Sequence, residues 1–566
     1  MRRWIVARGA LVTAVLASVA LLLAACVGLP TSGAVSTEKI DTTAGEANLV
    51  SLPELPQAGA TPEQILQGFI LAGRGPQDGY RVARAFLTDD FRAEWKPNAG
   101  VIISNSVIAP VPVDADTFNV TVSVLARVNA SGNYTELASA ETTDPPLTYD
   151  LEKNADGEWR ISSAPDGTLL TETRFNNTFK PYELSFFDAS GAYLVPDLRW
   201  FAVTPSTKDR IVTELLNGPS PWLGAGVLVS AFPTGTKQGD PVVIDDAGQA
   251  TVDLSSEVRS QTGPAKQRML QQLTASLSAL ADVRSVRITV GGLPLPVPEG
   301  GTQPQRVLTV DANPLGLADG SFGYLKGSSV TAIPGISNKV EALGPIAVSL
   351  GRDRDSAAVL SPLGASLVTA SADPLTVDIR QGLVPPTLDV EGFLWSIPAD
   401  GNGGLLAVGA DGTGQAISMP LPVGARITSL EISRDGSRLL VAMQTPDGPQ
   451  LLVWGIVRDT SFAPTGLGAE PLAIAVDEAP IIDATWVDQG SVAVLSQVDG
   501  STAVDLYQLG GKASPLGTLP GGVGIAGGNL VDGLRVVDGS GVLFRPTGTR
   551  GWQATAVTVS LLATQQ

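Results

Sequence analysis

Paired short β patterns recur in the last part of the chain, from residue 303 to residue 566, and they restrict the fold more than any other feature. Residues 429–433 and 437–441, for example, are two apolar runs on either side of the polar turn Arg434-Asp435-Gly436. Most pairs recur at a spacing of about 40 to 50 residues, which is typical of the four-stranded blades of a β-propeller. The other pairs are residues 346–349 with 357–360, 388 with 392–395, 484–486 with 491–495, and 534–537 with 541–544.

We therefore predict a β-propeller over residues 303–566, with six blades preferred and five as the alternative. A pair of large β-sandwiches is the other architecture that such a pattern allows. The composition agrees with a mainly β chain of several domains, because 62 Gly and 41 Pro among 566 residues provide many turns.

Composition also excludes several kinds of chemistry. The chain has no histidine, which removes Ser-His-Asp and Cys-His catalysis and imidazole-ligated zinc or haem. Its single cysteine allows neither an intrachain disulfide nor a cysteine-rich metal site. A net charge of -19 argues against a nucleic-acid partner. We expect no catalytic residue, no cofactor and no metal site.

The N-terminal residues have the pattern of an export signal. Arg2, Arg3 and Arg8 precede an apolar run over residues 9–23, and the run ends in Leu23-Ala24-Ala25-Cys26. Small residues before the only cysteine match a bacterial lipobox. We predict a signal peptide over residues 1–25 and a lipid on the Cys26 thiol, which would hold the protein on the extracytoplasmic face of the cell membrane. The alternative is an uncleaved anchor in which Cys26 is an ordinary apolar residue.

Two further regions precede the predicted propeller. Residues 26–60 are rich in Gly, Pro, Ser and Thr and predict a flexible tether. Residues 61–170 place helical patterns before alternating β patterns, which predicts an α+β domain of the NTF2-like kind. Over residues 183–300, a hairpin around Ser190-Gly191 is followed by helices at about 207–217 and 264–280 and a closing strand at 285–290.

Several motifs in this last region resemble the GerMN domain. They occur in order as residues 194–199 (LVPDLR), 214–220 (ELLNGPS), 232–236 (FPTGT), 252–255 (VDLS) and 272–277 (QLTASL). Together with the lipobox and the flanking regions, they make the whole chain similar to the LpqB family of actinobacterial lipoproteins. The resulting fold class is mainly β with α+β: an NTF2-like α+β domain, a GerMN α/β domain and a C-terminal β-propeller.

The resemblance implies a function that composition does not show. Members of the LpqB family are associated with the MtrA–MtrB two-component system, so the implied partner is the extracellular domain of an MtrB-like sensor kinase, and the implied processes are envelope homeostasis and cell division. The alternatives are a module that binds cell-wall glycan and an envelope hydrolase that uses two carboxylates.

Two groups of residues bear on those alternatives. The carboxylate clusters Asp245-Asp246 and Asp353/Asp355 lie beside predicted turns, where aspartate commonly bonds the local backbone. Tryptophans in the propeller region could stack on sugars, but packing between blades is the more common role of a strand tryptophan. They are Trp395, Trp454, Trp486 and Trp552.

Overall fold

The structure is a computed structural model, and it describes residues 54–105, 109–224, 226–327 and 329–566. The predicted signal peptide, Cys26 and residues 26–53 of the predicted tether lie outside the described residues. Hydrophobic residues make up 43% of the chain. Those of the described residues form several apolar cores within one compact unit.

The first region packs three helices against β-strands that are antiparallel except for the parallel pair β1 and β8. The helices are α1 (Pro62–Ala72), α2 (Arg81–Arg84) and α3 (Asp89–Glu94). Helix α1 begins directly after Thr61, because the Thr61 hydroxyl accepts from the Gln64 backbone N–H and the Gln64 side chain accepts from the Thr61 N–H. Its buried face carries Ile65, Leu66 and Phe69.

Eight strands of this region form two four-stranded sheets, in the orders β5-β4-β1-β8 and β2-β3-β6-β7. The α+β prediction is confirmed, and the NTF2-like arrangement stays a prediction. The strands are β1 (Gly100–Ser104), β2 (Val111–Pro112), β3 (Thr117–Val120), β4 (Ser123–Asn129), β5 (Tyr134–Thr142), β6 (Leu147–Lys153), β7 (Trp159–Ser163) and β8 (Thr168–Thr171).

The apolar alternation of residues 118–128 predicts one continuous strand, whereas the structure has two. Strand β3 pairs with β2 and β6, and β4 pairs with β1 and β5, so the chain passes from one sheet to the other between them. Val122 lies at this crossing, where its N–H donates to the Thr143 hydroxyl and its carbonyl accepts from the Thr143 N–H. The alternating pattern continues through the crossing because both sheets bury one face.

The second region starts after helix α4 (Glu172–Thr178) with a long hairpin of β9 (Phe179–Phe187) and β10 (Leu194–Ala202). Helix α5 (Thr207–Asn217) has the predicted bounds and is followed by Gly218, whose φ of 100° favours glycine. Helix α6 (Gly263–Leu277) starts at the Thr262 cap, and its buried face joins the core of the region. The remaining strands are β11 (Val243–Ile244), β12 (Gln249–Asp253), β13 (Ser285–Val290) and β14 (Leu293–Pro294).

The third region consists of successive antiparallel groups of strands, with one short helix, α7 (Ser337–Ala342). All five hairpins predicted from the sequence form. The strands are β15 (Leu315–Ala318), β16 (Ser321–Lys326), β17 (Ser329–Thr331), β18 (Ala347–Leu350), β19 (Ser356–Ser361), β20 (Gly364–Thr369), β21 (Leu375–Asp378), β22 (Thr387–Leu388), β23 (Leu394–Ser396), β24 (Leu405–Val408), β25 (Gly414–Ile417), β26 (Arg426–Ile432), β27 (Arg438–Thr445), β28 (Gly448–Arg458), β29 (Pro464–Leu467), β30 (Leu472–Ile474), β31 (Ile481–Trp486), β32 (Ser491–Val498), β33 (Ser501–Gln508), β34 (Ala513–Leu519), β35 (Gly522–Ala526), β36 (Arg535–Asp538), β37 (Val542–Thr547), β38 (Gly551–Thr558) and β39 (Leu561–Gln565).

The last strand closes this region into a ring. Strand β39 pairs antiparallel with β15 near the start of the region and parallel with β18. Strands β39, β18, β22, β26, β31 and β35 contact one another in that order, and β35 contacts β39 again. These are the inner strands of a propeller, and the grouping favours six blades over five, which stays a prediction.

Within each group, we letter the strands A to D from the inner strand outward. Neighbouring strands are antiparallel, so the A–B and C–D loops lie at one end of the propeller, and the B–C and D–A loops lie at the other end. We call the end with the A–B and C–D loops the covered face, and the end with the B–C and D–A loops the open face.

Candidate functional site

A buried ion pair lies on β10, within the motif Leu194-Val195-Pro196-Asp197-Leu198-Arg199. Asp197 and Arg199 are two residues apart on a strand, so their side chains point to the same face. The Arg199 guanidinium donates to both Asp197 carboxylate oxygens, at 2.7 and 3.2 Å. Their side chains are only 3% and 2% exposed, so each charge depends on the other for compensation.

This pair connects the second region to the first. Arg199 also donates to the Ser131 carbonyl at 2.9 Å, in the turn between β4 and β5. Asp197 accepts the Ser220 N–H at 2.7 Å, and the Ser220 hydroxyl lies 2.6 Å from both an Asp197 oxygen and the Asn133 side-chain oxygen. Two of the motifs that resemble the GerMN domain therefore form the contact with the N-terminal sheet.

An aromatic cluster adds apolar area to the same junction. Trp200 packs against Tyr134 and Phe175, with ring centroids 5.5 and 5.2 Å apart. Its indole N–H donates to the Gly510 carbonyl at 3.0 Å, in a C–D loop of the propeller. One tryptophan thus contacts all three regions.

The same C–D loop also binds the N-terminal region directly. The Lys512 ammonium lies 3.1 Å from a Glu172 carboxylate oxygen and 2.6 Å from the Asn176 side-chain oxygen. The Ala513 N–H donates to Glu136 at 3.1 Å. All three regions therefore meet at this place.

A cavity of about 300 Å³ lies at the meeting point, and residues from all three regions line it. Burial raises the pKa of Glu136 and of Glu183 on its wall. Tyr134 and Trp222 supply aromatic surface. The size is at the lower limit of small-molecule sites, which are about 300 to 1,000 Å³.

The GerMN region and the linker that follows it cover one end of the propeller. Arg434, in an A–B loop, donates to the Leu308 carbonyl of the linker at 3.3 Å and to the Gly528 carbonyl at 2.8 Å. The Asn529 side chain bonds Val310 in both directions, at 2.8 and 2.9 Å. The Arg352 guanidinium, in another A–B loop, lies 5.2 Å from the centre of the Tyr193 ring. These contacts define the covered face.

Two acidic side chains come close together near the ring of inner strands. Glu431 is on β26, and Asp483 is on the neighbouring β31. Burial, and next the nearby charge of Asp483, raises the pKa of Glu431 to about 8. Burial also raises the pKa of Asp483. A Glu431 carboxyl with this pKa is largely protonated at neutral pH.

Both acidic groups have partners that hold neighbouring blades together. Glu431 accepts the Trp486 N–H at 3.0 Å, from β31. Asp483 accepts the Ser429 hydroxyl at 2.5 Å and the Ile525 N–H at 2.9 Å, from the strands on its two sides. These contacts give the pair a structural role between blades.

The carboxylate clusters singled out in the sequence have local roles. One Asp245 oxygen accepts the N–H groups of Ala247 and Gln249, both at 2.9 Å, which makes the turn that the sequence predicts. Asp353 and Asp355 are exposed in an A–B loop. In the described residues, no group of three or more Cys, Asp or Glu side chains is placed to hold a metal ion.

The propeller tryptophans are buried or half-buried and pack within the protein. Trp395, Trp454 and Trp486 are at most 3% exposed. Trp552 is half-buried and donates to the Leu516 carbonyl at 3.1 Å. Their positions agree with the packing role that the sequence favours, and stacking on a sugar would require the buried ones to move.

The fold and the junction define a class of protein in which an α+β domain and a GerMN domain precede a β-propeller. Family models match each of these regions in order: "Lipoprotein LpqB, N-terminal domain" over residues 55–176, "Sporulation and spore germination" over residues 183–296, and "Lipoprotein LpqB beta-propeller domain" over residues 320–560. The chain belongs to the LpqB family of lipoproteins.

Relatives with this family name occur across actinobacteria. The Thermobifida fusca lipoprotein LpqB is 26% identical, with 88% of this chain and 89% of that protein aligned. The Mycolicibacterium smegmatis lipoprotein LpqB is 28% identical over 78% of this chain and 82% of that protein. The match to the Cutibacterium acnes lipoprotein LpqB, at 29% identity, spans about half of each chain, 50% and 48%.

Among solved structures, the first GerMN domain of the sporulation protein GerM from Bacillus subtilis is similar in part. The identity is 24%, the TM-score is 0.19, and the match covers 22% of this chain and 94% of that domain. Among the helices of the described residues, none is long and apolar enough to cross a membrane.

Arg199→Met tests the ion pair at the junction. The substitution leaves the buried Asp197 carboxylate without its partner, so we expect the free energy of unfolding to fall by about 3 to 5 kcal/mol. Urea unfolding of the unlipidated chain (residues 27–566) measures this change. Asp197→Asn/Arg199→Met, which removes both charges, should recover part of the loss. The control Arg81→Met removes a guanidinium that is 70% exposed and should cost at most about 1 kcal/mol. Equal losses in Arg199→Met and Arg81→Met would contradict the assigned role.

Glu431→Gln tests the buried acid. The folded-state pKa of Glu431 lies above its ordinary value of 4.5, so the folded state binds more protons between these values. The stability that Glu431 contributes is therefore present below about pH 4.5 and is lost as the pH rises to about 8. The free energy of unfolding of the wild type minus that of Glu431→Gln should fall across this window, by at most about 1.4 kcal/mol per pH unit. A difference that is constant with pH, like that expected for the exposed control Glu299→Gln, would show that Glu431 does not titrate in this way.

Proposed function

We propose that the protein is a lipid-anchored accessory protein on the extracytoplasmic face of the cell membrane. In this proposal it binds the sensor domain of an MtrB-like histidine kinase and modulates MtrA–MtrB signalling in envelope homeostasis and cell division. Membership of the LpqB family supports the lipoprotein part of the proposal. The kinase partner comes from the resemblance described above.

One structural observation carries the accessory role. All three regions contact one another around Asp197, Arg199 and Trp200, and the second region with its linker covers one face of the propeller. Such packing forms a platform that loses little conformational freedom when a partner binds. Asp245, from a cluster considered for hydrolysis, bonds its own turn, and the buried acidic pair Glu431 and Asp483 joins neighbouring blades. An accessory role without catalysis therefore fits these residues better than hydrolysis.

Binding changes kinase signalling only if the lipoprotein prefers one conformation of the sensor domain. A lipid on Cys26 would keep the protein at the membrane and raise its effective concentration near a membrane-bound kinase. The anchor and the platform therefore have separate roles: the first sets where the protein is, and the second sets what it binds.

Titration of the kinase's extracellular domain with the unlipidated chain tests the partner. We expect saturable binding by calorimetry and a changed autophosphorylation rate of the full-length kinase in liposomes. The heat-unfolded chain is the control, and purified cell-wall glycan is titrated in parallel. Binding to glycan alone would refute the kinase assignment and favour a wall-binding module.

Cys26→Ser tests the anchor. The full-length variant lacks the thiol that would carry diacylglycerol, so it should leave the membrane fraction and fail to incorporate an alkyne-labelled fatty acid. Ser32→Ala, a few residues away, should behave as the wild type does. Retention of the fatty-acid label in Cys26→Ser would contradict lipidation at this residue.

A further inference from the structure

The open face of the propeller carries large apolar side chains in water. Val423, Ile379 and Leu363 are 94%, 74% and 70% exposed. Leu363 lies in a B–C loop, and the other two lie in D–A loops, so all three belong to the face opposite the GerMN region. Burial of these side chains against a partner would remove apolar surface from water and so favour binding.

These side chains lie on neighbouring loops. The turn that contains Leu363 and Gly364 packs against the backbone of Asp378 and Ile379, since a Cβ at Gly364 would lie 3.1 Å from the Ile379 Cα. Ile346 is also exposed. Its N–H donates to the Leu360 carbonyl at 2.7 Å, near the end of β19 and just before this turn.

Contacts connect these loops to the next two blades. Arg380, directly after Ile379, donates to the Gly404 carbonyl at 2.8 Å in the next B–C loop. Leu421 packs against Gly401 of that same loop, and Gly424, directly after Val423, packs against Pro446 of the following blade. The loops that carry Leu363, Ile379 and Val423 therefore lie next to one another across three consecutive blades, and we call these exposed residues the apolar ridge. Exposed apolar residues on adjacent loops are more informative than isolated ones, which are common on monomers.

Acidic residues surround this ridge on the open face. Most of the B–C loops carry an exposed aspartate. Arg380 is paired with Asp378 at 2.6 Å, and Arg426, at the start of β26, is an exposed cation beside the ridge. A complementary surface would be apolar in its centre and rich in Lys and Arg around it. An anionic membrane or a nucleic acid would be repelled. The aspartates are Asp319, Asp400, Asp447 and Asp499.

We propose that the open face, centred on Leu363, Ile379 and Val423, is the docking surface for a basic, partly apolar protein domain of the cell envelope. Under the proposed function, on which the identity of the partner rests, this domain is the sensor domain of the kinase. The aspartates speed association, and the apolar ridge holds the complex together.

A double substitution that introduces two carboxylates tests the ridge. Ile379→Glu/Val423→Glu should weaken binding of the sensor domain at least tenfold, because two carboxylates would be desolvated in the interface. The matched control is Val243→Glu, which changes a valine that is 63% exposed in the GerMN region and should bind as the wild type does. Asp400→Asn/Asp447→Asn should lower the association rate and its salt dependence while changing the dissociation rate little.

Photo-crosslinking in living cells separates this inference from the proposed function. A benzophenone amino acid replaces Val423 in the full-length lipoprotein, and Ala554, exposed on the outer strand β38, is the control position. Crosslinks to the kinase from position 423 but not from position 554 would support both proposals. Wild-type affinity of Ile379→Glu/Val423→Glu for the kinase, or kinase crosslinks from position 554 alone, would overturn the docking surface and leave the proposed function standing.

The remaining outcomes concern a kinase that does not bind. If the wild type fails to bind the sensor domain, the proposed function is wrong. The crosslinks formed from position 423 then decide whether the open face is a docking surface. A crosslink mapped to a Lys- and Arg-rich, partly apolar segment of an identified envelope protein, and weakened by Asp400→Asn/Asp447→Asn, would support it. Absence of any crosslink from position 423 would overturn it.

Discussion

The buried ion pair of Asp197 and Arg199 is the interaction on which the arrangement of the three regions depends. Two opposite charges taken out of water are stable only when their remaining hydrogen-bonding capacity is used. Here the remaining donors and acceptors are used by Ser131 of the first region and by Gly218 and Ser220 of the second. The first two regions cannot separate without exposing this pair, and Trp200 links the propeller to the same place. The junction thus behaves as one constraint rather than as three independent contacts.

The way the propeller is closed determines which surface it presents. Strand β39 comes from the C-terminal end of the chain and completes the group that begins at β15, which joins the two ends of the region. The linker before β15 lies across the A–B loops, where Arg434 binds it. The GerMN region therefore packs at the end of the propeller where the linker enters. The opposite end remains for a partner, and the exposed ridge and the aspartates lie there.

Local features were predictable from the sequence, whereas contacts between distant segments were not. Helix α5 has its predicted bounds because Gly218 and Pro219 end it, and the hairpins of the propeller form where polar turns separate apolar runs. The pairing of β39 with β15 joins residues at opposite ends of the propeller region, and no local pattern encodes it. Glu431 was also missed. It alternates with Leu430 and Ile432, which predicts a side chain facing water, but an inner propeller strand is buried on both faces.

The central claim is that the protein is a platform that presents the open face of its propeller to a sensor domain. Hydrogen–deuterium exchange of the unlipidated chain, alone and saturated with the kinase's extracellular domain, tests it most directly. The account predicts slower exchange on binding in the loops at residues 362–363, 379–386 and 418–425, with little change in the linker at residues 303–313. Slower exchange confined to the GerMN region or the linker, with the open-face loops unchanged, would contradict it.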